Sequence, residues 1–578
     1  MNSDLKEDIY EEIIKTAGHL LVTGGPGSGK TTTALKKAVR YIEEKKLDHG
    51  QSILFLSFSK AAISRIHQTS SSIFKTNDYQ KFLNIQTFHS FFWEIIKTYG
   101  YLLGTPRMLK VISPHEEDAL RRGRDHDNST WLVEKNELCN KNGLVSFDTF
   151  ASLAMEIILR SEAIRNILNS KFPFIIVDES QDTDTEQWEC VKILSDKSDI
   201  ILLADIDQQI YDYRTNVSSE RLNEMNEYLR PTVFKLENQN HRSFGTEITT
   251  FAKDLKDSTP KNEPYNGVSA ALYRPQASER DKKIRQSIGI LMSKIEQETG
   301  KKPNNIAILA TWGRGVKIIS QALRGTEVRK EIKHRVQFDE TSAFLASKVV
   351  AFLLEPKSPE NLHRDLIELL VCMGDMAKAK GRENDWKKYD KWCGELKIDK
   401  IPKRGKTIPG FEFILQEIYG SRHSGNPEKD WLRVKNLLIN SNVKEIIQIG
   451  KHAEYLMAFN RGLKISSGLT RVWQKTGSYI DARTILNSAI IESQIISDYK
   501  EMKGIHVMTI HKAKGKEFDG VILFNDTNSS PFILKGDSPP FNRSRKLLFV
   551  GVTRAKFHTM ILKCVTDSSS IMNGFNLG

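Results

Sequence analysis

Residues 177–184 read VDESQDTD, and the side chains from Asp178 to Asp182 are of types that can cleave a phosphate anhydride. The apolar run FIIV (174–177) carries two adjacent acids out of what must be a buried strand. Asp178 can hold Mg²⁺ through water, and Glu179 can act as base on the water that attacks a phosphate. Gln181 and Asp182 follow on the same exit loop, where they can sense whether a γ-phosphate is present. About 150 residues upstream, GGPGSGKT (24–31) fits G-x-x-x-x-G-K-[ST], with Gly24, Gly29, Lys30 and Thr31 at the fixed positions. Gly25, Pro26, Gly27 and Ser28 complete a loop whose backbone N–H groups can turn toward phosphates at a helix N-terminus. Lys30 would contact the β- and γ-phosphates, and the Thr31 hydroxyl would ligate Mg²⁺. Either stretch alone could be a chance turn. Together they specify hydrolysis of a nucleoside triphosphate.

These loops need strands and helices to hold them. HLLVT (19–23) precedes the first as a strand, and TTTALKKAVRYI follows it as a helix. Further strands are expected at ILFLSF (53–58), FIIVDE (174–179), IILLAD (200–205), VFKLEN (233–238), NIAILAT (305–311), IHVMTIH (505–511), GVILFN (520–525) and LLFVGVT (547–553). Continuous apolar runs suit strands buried on both faces, hence parallel α/β sheets. They fall into two groups that meet near Pro231, so two α/β domains are expected. Residues 93–150 and 357–500 show helical periodicity instead. Within the second, 378–406 holds eleven Lys/Arg against five acids, interleaved with Trp386, Tyr389 and Trp392. Such a mixture can bind nucleic acid, but aromatics spaced by three on a helix more often face a core.

At 578 residues the chain fits two to four domains, and 39% hydrophobic with 27% charged residues describes an ordinary globular protein. Lys and Arg exceed Asp and Glu by 85 − 72 = 13, which favours a polyanionic partner. The five cysteines are scattered and never form a C-x-x-C pair, so neither a disulfide framework nor a metal site is expected. No apolar run approaches the ~20 residues that span a bilayer. The acidic start, MNSDLKEDIYEEI, lacks the layout of a secretory signal, and a cytoplasmic location with no membrane partner is expected.

Taken in order, the motifs resemble those of the UvrD/Rep-type superfamily-1 DNA helicases over roughly residues 15–92, 143–250, 300–355 and 500–565. ILFLSFSKAAISRI (53–66), with Ser57 and Phe58, is similar to motif Ia. IQTFHSFF (85–92), with Thr87, Phe88 and His89, is similar to motif Ib. The resemblance implies that both meet single-stranded DNA. LLADIDQQIYDYR (202–214) resembles motif III, placing Gln208 as γ-phosphate sensor and Tyr213 as the ring that stacks on a base, with Arg214 beside it. Asn240-His241-Arg242-Ser243 resembles motif IV, in which Arg242 would reach the γ-phosphate and His241 stands where a tyrosine holds the base. HVMTIHKAKGKEFDGV (506–521) resembles motif V, with Thr509 and His511 toward DNA and Glu517 toward the ribose. RKLLFVGVTRAK (545–556) resembles motif VI and supplies Arg554 as a second arginine finger.

The family implies an α/β fold of two RecA-like parallel-sheet domains with two mainly helical insertions. The cores would be 1–92 with 150–231, and 232–356 with 501–578; the insertions would be 93–149 and 357–500. It implies an ATP- and Mg²⁺-dependent helicase or translocase moving 3′→5′ on single-stranded DNA and 3′-tailed duplex. The catalytic set would be Asp178, Glu179, Gln208, Arg242 and Arg554. A DNA-stimulated regulatory ATPase working with a separate nuclease or with a repair or defence partner is the alternative. RNA is the less expected strand, and an intrinsic nuclease is not expected in the 22 residues after Lys556. Several positions depart from the pattern. Ala204 replaces a glycine, Lys516 a leucine, and Arg543, Ser544 and Arg545 the usual acids. No glutamine lies within residues 1–23, Ile9 stands near its place, and Thr32 occupies the position of a base-flanking arginine.

Overall fold

A computed structural model of the protein describes residues 4–45, 47–58, 60–74, 79–112, 117, 120, 128–209, 218, 220–236, 240–324, 330–337, 341–379, 382–398, 400, 405–453, 463–495, 503–567 and 570–577. The chain divides into two compact units. One comprises Met1–Ile96, Ala151–Phe338 and Ser497–Gly578; the other comprises Lys97–Phe150 and Asp339–Ile496.

The first unit contains two six-stranded parallel sheets. One has the order Leu83–Thr87, Ile53–Ser57, Phe174–Val177, Asp199–Ala204, Leu20–Gly24, Thr232–Leu236. The other runs His334–Gln337, Gly504–Thr509, Asn305–Ala310, Phe518–Phe524, Ala555–Cys564, Val268–Tyr273. The unbroken apolar strands are the central ones: every residue of FIIV is fully buried, as are Leu54 to Leu56 and Ile200 to Ala204. Ala34, Leu35 and Ala38 of the helix Lys30–Lys45 pack on the first sheet, fixing the phosphate-loop helix to it. Parallel strands send all their carboxyl ends one way, and it is there that ligands bind in such sheets.

Two expectations about the sheets need correction. Residues 232–236 were expected in the second core, yet Thr232–Leu236 pairs with Leu20–Gly24 as the edge of the first sheet. The passage between sheets therefore follows this strand rather than Pro231. LLFVGVT was expected as a strand, but Asn542–Val552 is a helix in which every residue from Leu547 to Val552 is buried. A short apolar run buried all round looks the same in either conformation. The strand comes next, at Ala555–Cys564.

The second unit is mainly helical. The helix Thr341–Leu354 lies in its core, so 339–356 belongs here and not with the second sheet. Tyr389 and Trp392 are buried in the same core and Trp386 packs against it, while Lys388 lies over both buried rings. The aromatic and basic stretch is thus a core face with lysine stems along it. Lys110–Ile112 and Leu144–Ser146 form a short parallel pair, beside which Lys135 bridges Glu117 and Asp148. Among the described residues, no helix is long and apolar enough to cross a membrane.

Candidate functional site

The phosphate loop leaves the strand Leu20–Gly24 and ends in the helix beginning at Lys30. Gly27 and Gly29 have φ of +79° and +85°, a region that L side chains avoid. A Cβ on Gly27 would come within 2.7 Å of both Arg242 Cβ and Asn240 Oδ1. Lys30 Nζ donates to the carbonyls of Gly24 (2.5 Å) and Gly25 (3.0 Å) and lies 3.9 Å from Asp205 Oδ2. Within the loop Pro26 is buried, Thr31 is half-buried on the first helical turn, and Thr32 is exposed. The Ser28 hydroxyl is buried with no protein hydrogen-bond partner. A phosphate oxygen would satisfy it, so these residues fit a nucleotide.

The acidic loop leaves the neighbouring Phe174–Val177. Asp178 N–H donates to Leu56 O at 2.9 Å, extending the sheet by one residue, and Glu179 then turns left-handed with φ 52° and ψ 40°. For a non-glycine residue this costs of order 1 kcal/mol or more. Gln181 holds the turned side chain, its Nε2 donating to Glu179 Oε2 at 2.7 Å while its Oε1 accepts from Asp205 N–H at 3.0 Å. Gln187 closes a capping box with Asp184 at the start of the next helix.

The second sheet contributes from the facing side. Arg554, buried, donates through Nη2 to Gln208 Oε1 at 2.7 Å and through Nε to Val550 O at 2.9 Å. Gln208 Nε2 donates to Asp205 Oδ2 at 2.5 Å, so the amide links the arginine to the acid beside Lys30. Arg242 donates to Glu517 Oε1 (2.9 Å) and Thr553 O (3.0 Å). His241 N–H donates to Gly27 O at 2.8 Å, so the motif IV turn lies against the phosphate loop.

Two residues outside the expected set stand at the centre. Lys514 donates to Asp182 Oδ2 and, at 2.6 Å, to Gln208 O, and lies 3.9 Å from Glu179 Oε2. Asp205 joins Lys30, Gln181 and Gln208. HKAKGK offers three lysines on one short turn, and nothing in their spacing singles out the middle one. Burial works to raise the Glu179 pKa, but Lys514, Lys30, the Gln181 bond and Arg554 outweigh it and hold the carboxylate below its usual range. Asp182, buried and near Glu179 and Asp205, is pushed up to about 6 despite Lys514. Asp205 is also raised, chiefly by burial.

The residues expected to meet DNA are placed unevenly. His89 is exposed at the start of Phe88–Tyr99; Thr509 caps Ile510–Ala513, with half-buried His511 on that turn. Ser57 and Phe88 are buried, and the Phe58 ring packs 5.3 Å from Phe88. Thr87 Oγ1 accepts from Ser90 N–H at 3.0 Å. Ser57, Thr87 and Phe88 therefore shape their loops from within instead of presenting side chains to a strand. Tyr213 and Arg214 lie outside the described residues. Two of the departures have structural partners. Ser544 binds Asp537 through its hydroxyl (2.5 Å) and N–H (2.8 Å), and Arg545 donates to Leu255 O (2.7 Å) and Pro540 O (2.9 Å).

Comparison with known proteins agrees with this arrangement. Residues 9–214 match the AAA domain family, and residues 162–566 match the UvrD-like helicase C-terminal domain. The chain is 20% identical over 631 residues to the ATP-dependent DNA helicase PcrA of Staphylococcus aureus (strain Mu50), covering 94% of this chain and 81% of that one. It is 21% identical over 642 residues to DNA helicase II of Haemophilus influenzae, covering 96% and 83%. It is 20% identical over 628 residues to the ATP-dependent DNA helicase Rep of Buchnera aphidicola, covering 95% and 91%. With two parallel sheets facing one another across a phosphate loop, and a match over most of its length, the chain belongs to the UvrD-like helicase family.

Proposed function

We propose that the protein is an ATP-dependent helicase or translocase moving 3′→5′ on single-stranded DNA. The observation that carries this is the reach of Arg554 from the second sheet to Gln208 on the first. A side chain so placed can stabilise phosphate charge only when the two sheets are together. Hydrolysis would then require closure, and release would permit opening, which is how a cleft can drive a step along a strand.

Residues 24–31 would cradle the phosphates, with Lys30 exchanging the Gly24 and Gly25 carbonyls for phosphate oxygens. Thr31 and, through water, Asp178 would hold Mg²⁺, which when bound would offset phosphate charge. Glu179, kept ionised by its cationic neighbours, would take a proton from the water that attacks the γ-phosphorus as the bond to the β–γ bridging oxygen breaks. Gln208, Arg242 and Arg554 would surround the transferred group, and Lys514 would add a third cation. Glu517 would exchange Arg242 for the ribose. His89, Thr509 and His511, with Tyr213 and Arg214, would follow the strand, mostly through phosphate contacts that carry no sequence preference.

The test is ATP turnover with and without single-stranded DNA, together with separation of 3′-tailed and 5′-tailed duplexes. Stimulated turnover and separation of the 3′-tailed duplex alone is the expected result. Separation of the 5′-tailed duplex overturns the polarity. Stimulated turnover with no separation leaves a DNA-stimulated ATPase that serves a separate nuclease or other partner.

A further inference from the structure

The strand Asp199–Ala204 runs into the turn Ile206–Gln208, where Asp205, Asp207 and Gln208 each meet a different cation. Asp205 Oδ2 lies 3.9 Å from Lys30 Nζ, and Gln208 Oε1 accepts from Arg554. Between them, Asp207 Oδ1 accepts from Lys256 Nζ at 2.7 Å. Lys256 stands in the last turn of the helix Ile248–Asp257, whose Ile248, Phe251, Ala252 and Leu255 are buried in the core of the second sheet. Leu255 O is one of the last carbonyls, which find no partner inside a helix. Arg545 Nη1 donates to it at 2.7 Å from the helix Asn542–Val552, and Arg554 donates back to Val550 O of that same helix. The contacts thus close a ring. Two of them cross from sheet to sheet, Lys256 to Asp207 and Arg554 to Gln208, and they end on adjacent residues.

The two crossings differ in what reaches them. Arg554 is buried, whereas the side chains of Lys256 and Asp207 are 19% and 41% exposed. Dissolved salt therefore screens the lysine pair and not the arginine contact. Lys256 Nζ also lies 3.1 Å from Asp257 Oδ1 on its own helix, so the ammonium keeps a partner when Asp207 moves away. Burial alone would lower the Lys256 pKa, but the bonds to Asp207 and Asp257 outweigh it and raise it. The direction of the Gln208 amide, bonded to Asp205 on one side and Arg554 on the other, depends on where this turn is held.

We propose that Lys256 is a positioning residue for ATP hydrolysis: by holding Asp207 it sets the turn on which Gln208 meets Arg554, through an ion pair that salt can release. This deepens the ATPase reading above and rests on it. Lys256 touches no reacting atom. It acts as a latch on the outer side of the Arg554 contact, and Arg545 braces the helix that carries it.

The experiment measures kcat and KM for ATP, with single-stranded DNA, in the full chain and in D207N, K256M and D207N/K256M. Each single change is expected to lower kcat by about 1.5- to 5-fold, the size of a partly exposed ion pair, with KM and melting temperature nearly unchanged. The double change should lose no more than the larger single loss, because the same contact is removed once. K256R, which keeps the charge, should recover most of the turnover. Without DNA, salt cannot act through strand affinity. There, turnover of the unaltered chain at saturating ATP should fall toward that of K256M between about 0.05 and 0.5 M NaCl, as screening tightens. K256M itself should change less. Unchanged turnover in K256M, additive losses in the double variant, or an equal salt response in the two chains overturns the latch while leaving hydrolysis intact. A melting temperature that falls in step with kcat, and is not restored in K256R, makes Lys256 a structural residue only and overturns it too. Failure of the unaltered chain to hydrolyse ATP overturns the ATPase reading, and the latch with it.

Discussion

Arg554 and Gln208 are 346 positions apart in the chain and belong to different sheets, yet their side chains meet at 2.7 Å. The same guanidinium donates to the Val550 carbonyl, and the same amide donates to Asp205. Removing Arg554 should therefore do two things. R554A is expected to lower DNA-stimulated turnover by about 10³-fold or more, the scale of an arginine finger. It should also lower the melting temperature, because a buried bonding group is lost. R554K keeps the charge but not the fork, and should recover stability better than turnover. A double-mutant cycle with Q208A should be strongly non-additive in turnover. Additive losses would show that the two residues act separately.

Glu179 carries its chemistry on a left-handed backbone, φ 52°. E179Q and E179N both remove the charge, but asparagine tolerates that conformation far better than glutamine. Both variants should bind nucleotide and lose hydrolysis. E179N should be the more stable of the two, by up to about 1 kcal/mol, the lower end of the cost of such strain. Near-normal turnover in E179Q would remove Glu179 from the base role. A less stable E179N would show that the backbone there is not strained.

Asp182 binds its proton with a pKa near 6, against 3.8 for an unperturbed carboxyl, because it is buried beside other acids. A raised folded pKa means that the folded chain holds a proton which the unfolded chain has released between pH 3.8 and about 6. The stability this supplies is full below the lower value and lost as pH rises through the upper. The native chain should therefore gain stability relative to D182N as pH falls from 7.5 to 5. Activity should move the other way. Protonation releases Lys514 from its partner, so turnover should fall on an acid limb near pH 6 that is absent in D182N. A flat difference in melting temperature across this range would refute the assignment.

Trp392 and Tyr389 are core residues of the helical unit, although they sit in a strongly basic stretch. W392A should cost about 3–5 kcal/mol, as aromatic truncation in a core does. W386A, at the edge of that core, should cost less. Neither should change the slope of DNA affinity against salt, which counts neutralised phosphates and not buried rings. A reduced slope in W386A with unaltered stability would return this stretch to the DNA-binding surface.

What the sequence determined by itself is the set of motifs and their order along the chain. GGPGSGKT and DESQD are local, each within eight residues or fewer, and the apolar runs beside them state that the strands are buried and parallel. Asp178, Glu179, Lys30, Gln208 and Arg554 were all named from the sequence, and hydrogen bonds and an ion pair through Gln181 and Asp205 connect the last four. Periodicity could not separate the buried last turns of the helix Asn542–Val552, residues 547–552, from a strand, because either would be a continuous apolar run. Nor could it assign Thr232–Leu236 to the first sheet, since pairing with Leu20–Gly24 is a contact across more than 200 residues. Lys514 was hidden for the same reason. Three lysines on one turn are chemically alike in the chain, and only the approach of Asp182 and the Gln208 carbonyl from another sheet makes one of them part of the site. Ser57 and Phe88 show the converse: their motifs are in place, but packing turned the side chains inward, because which way a residue faces at the end of a strand depends on what lies beneath it.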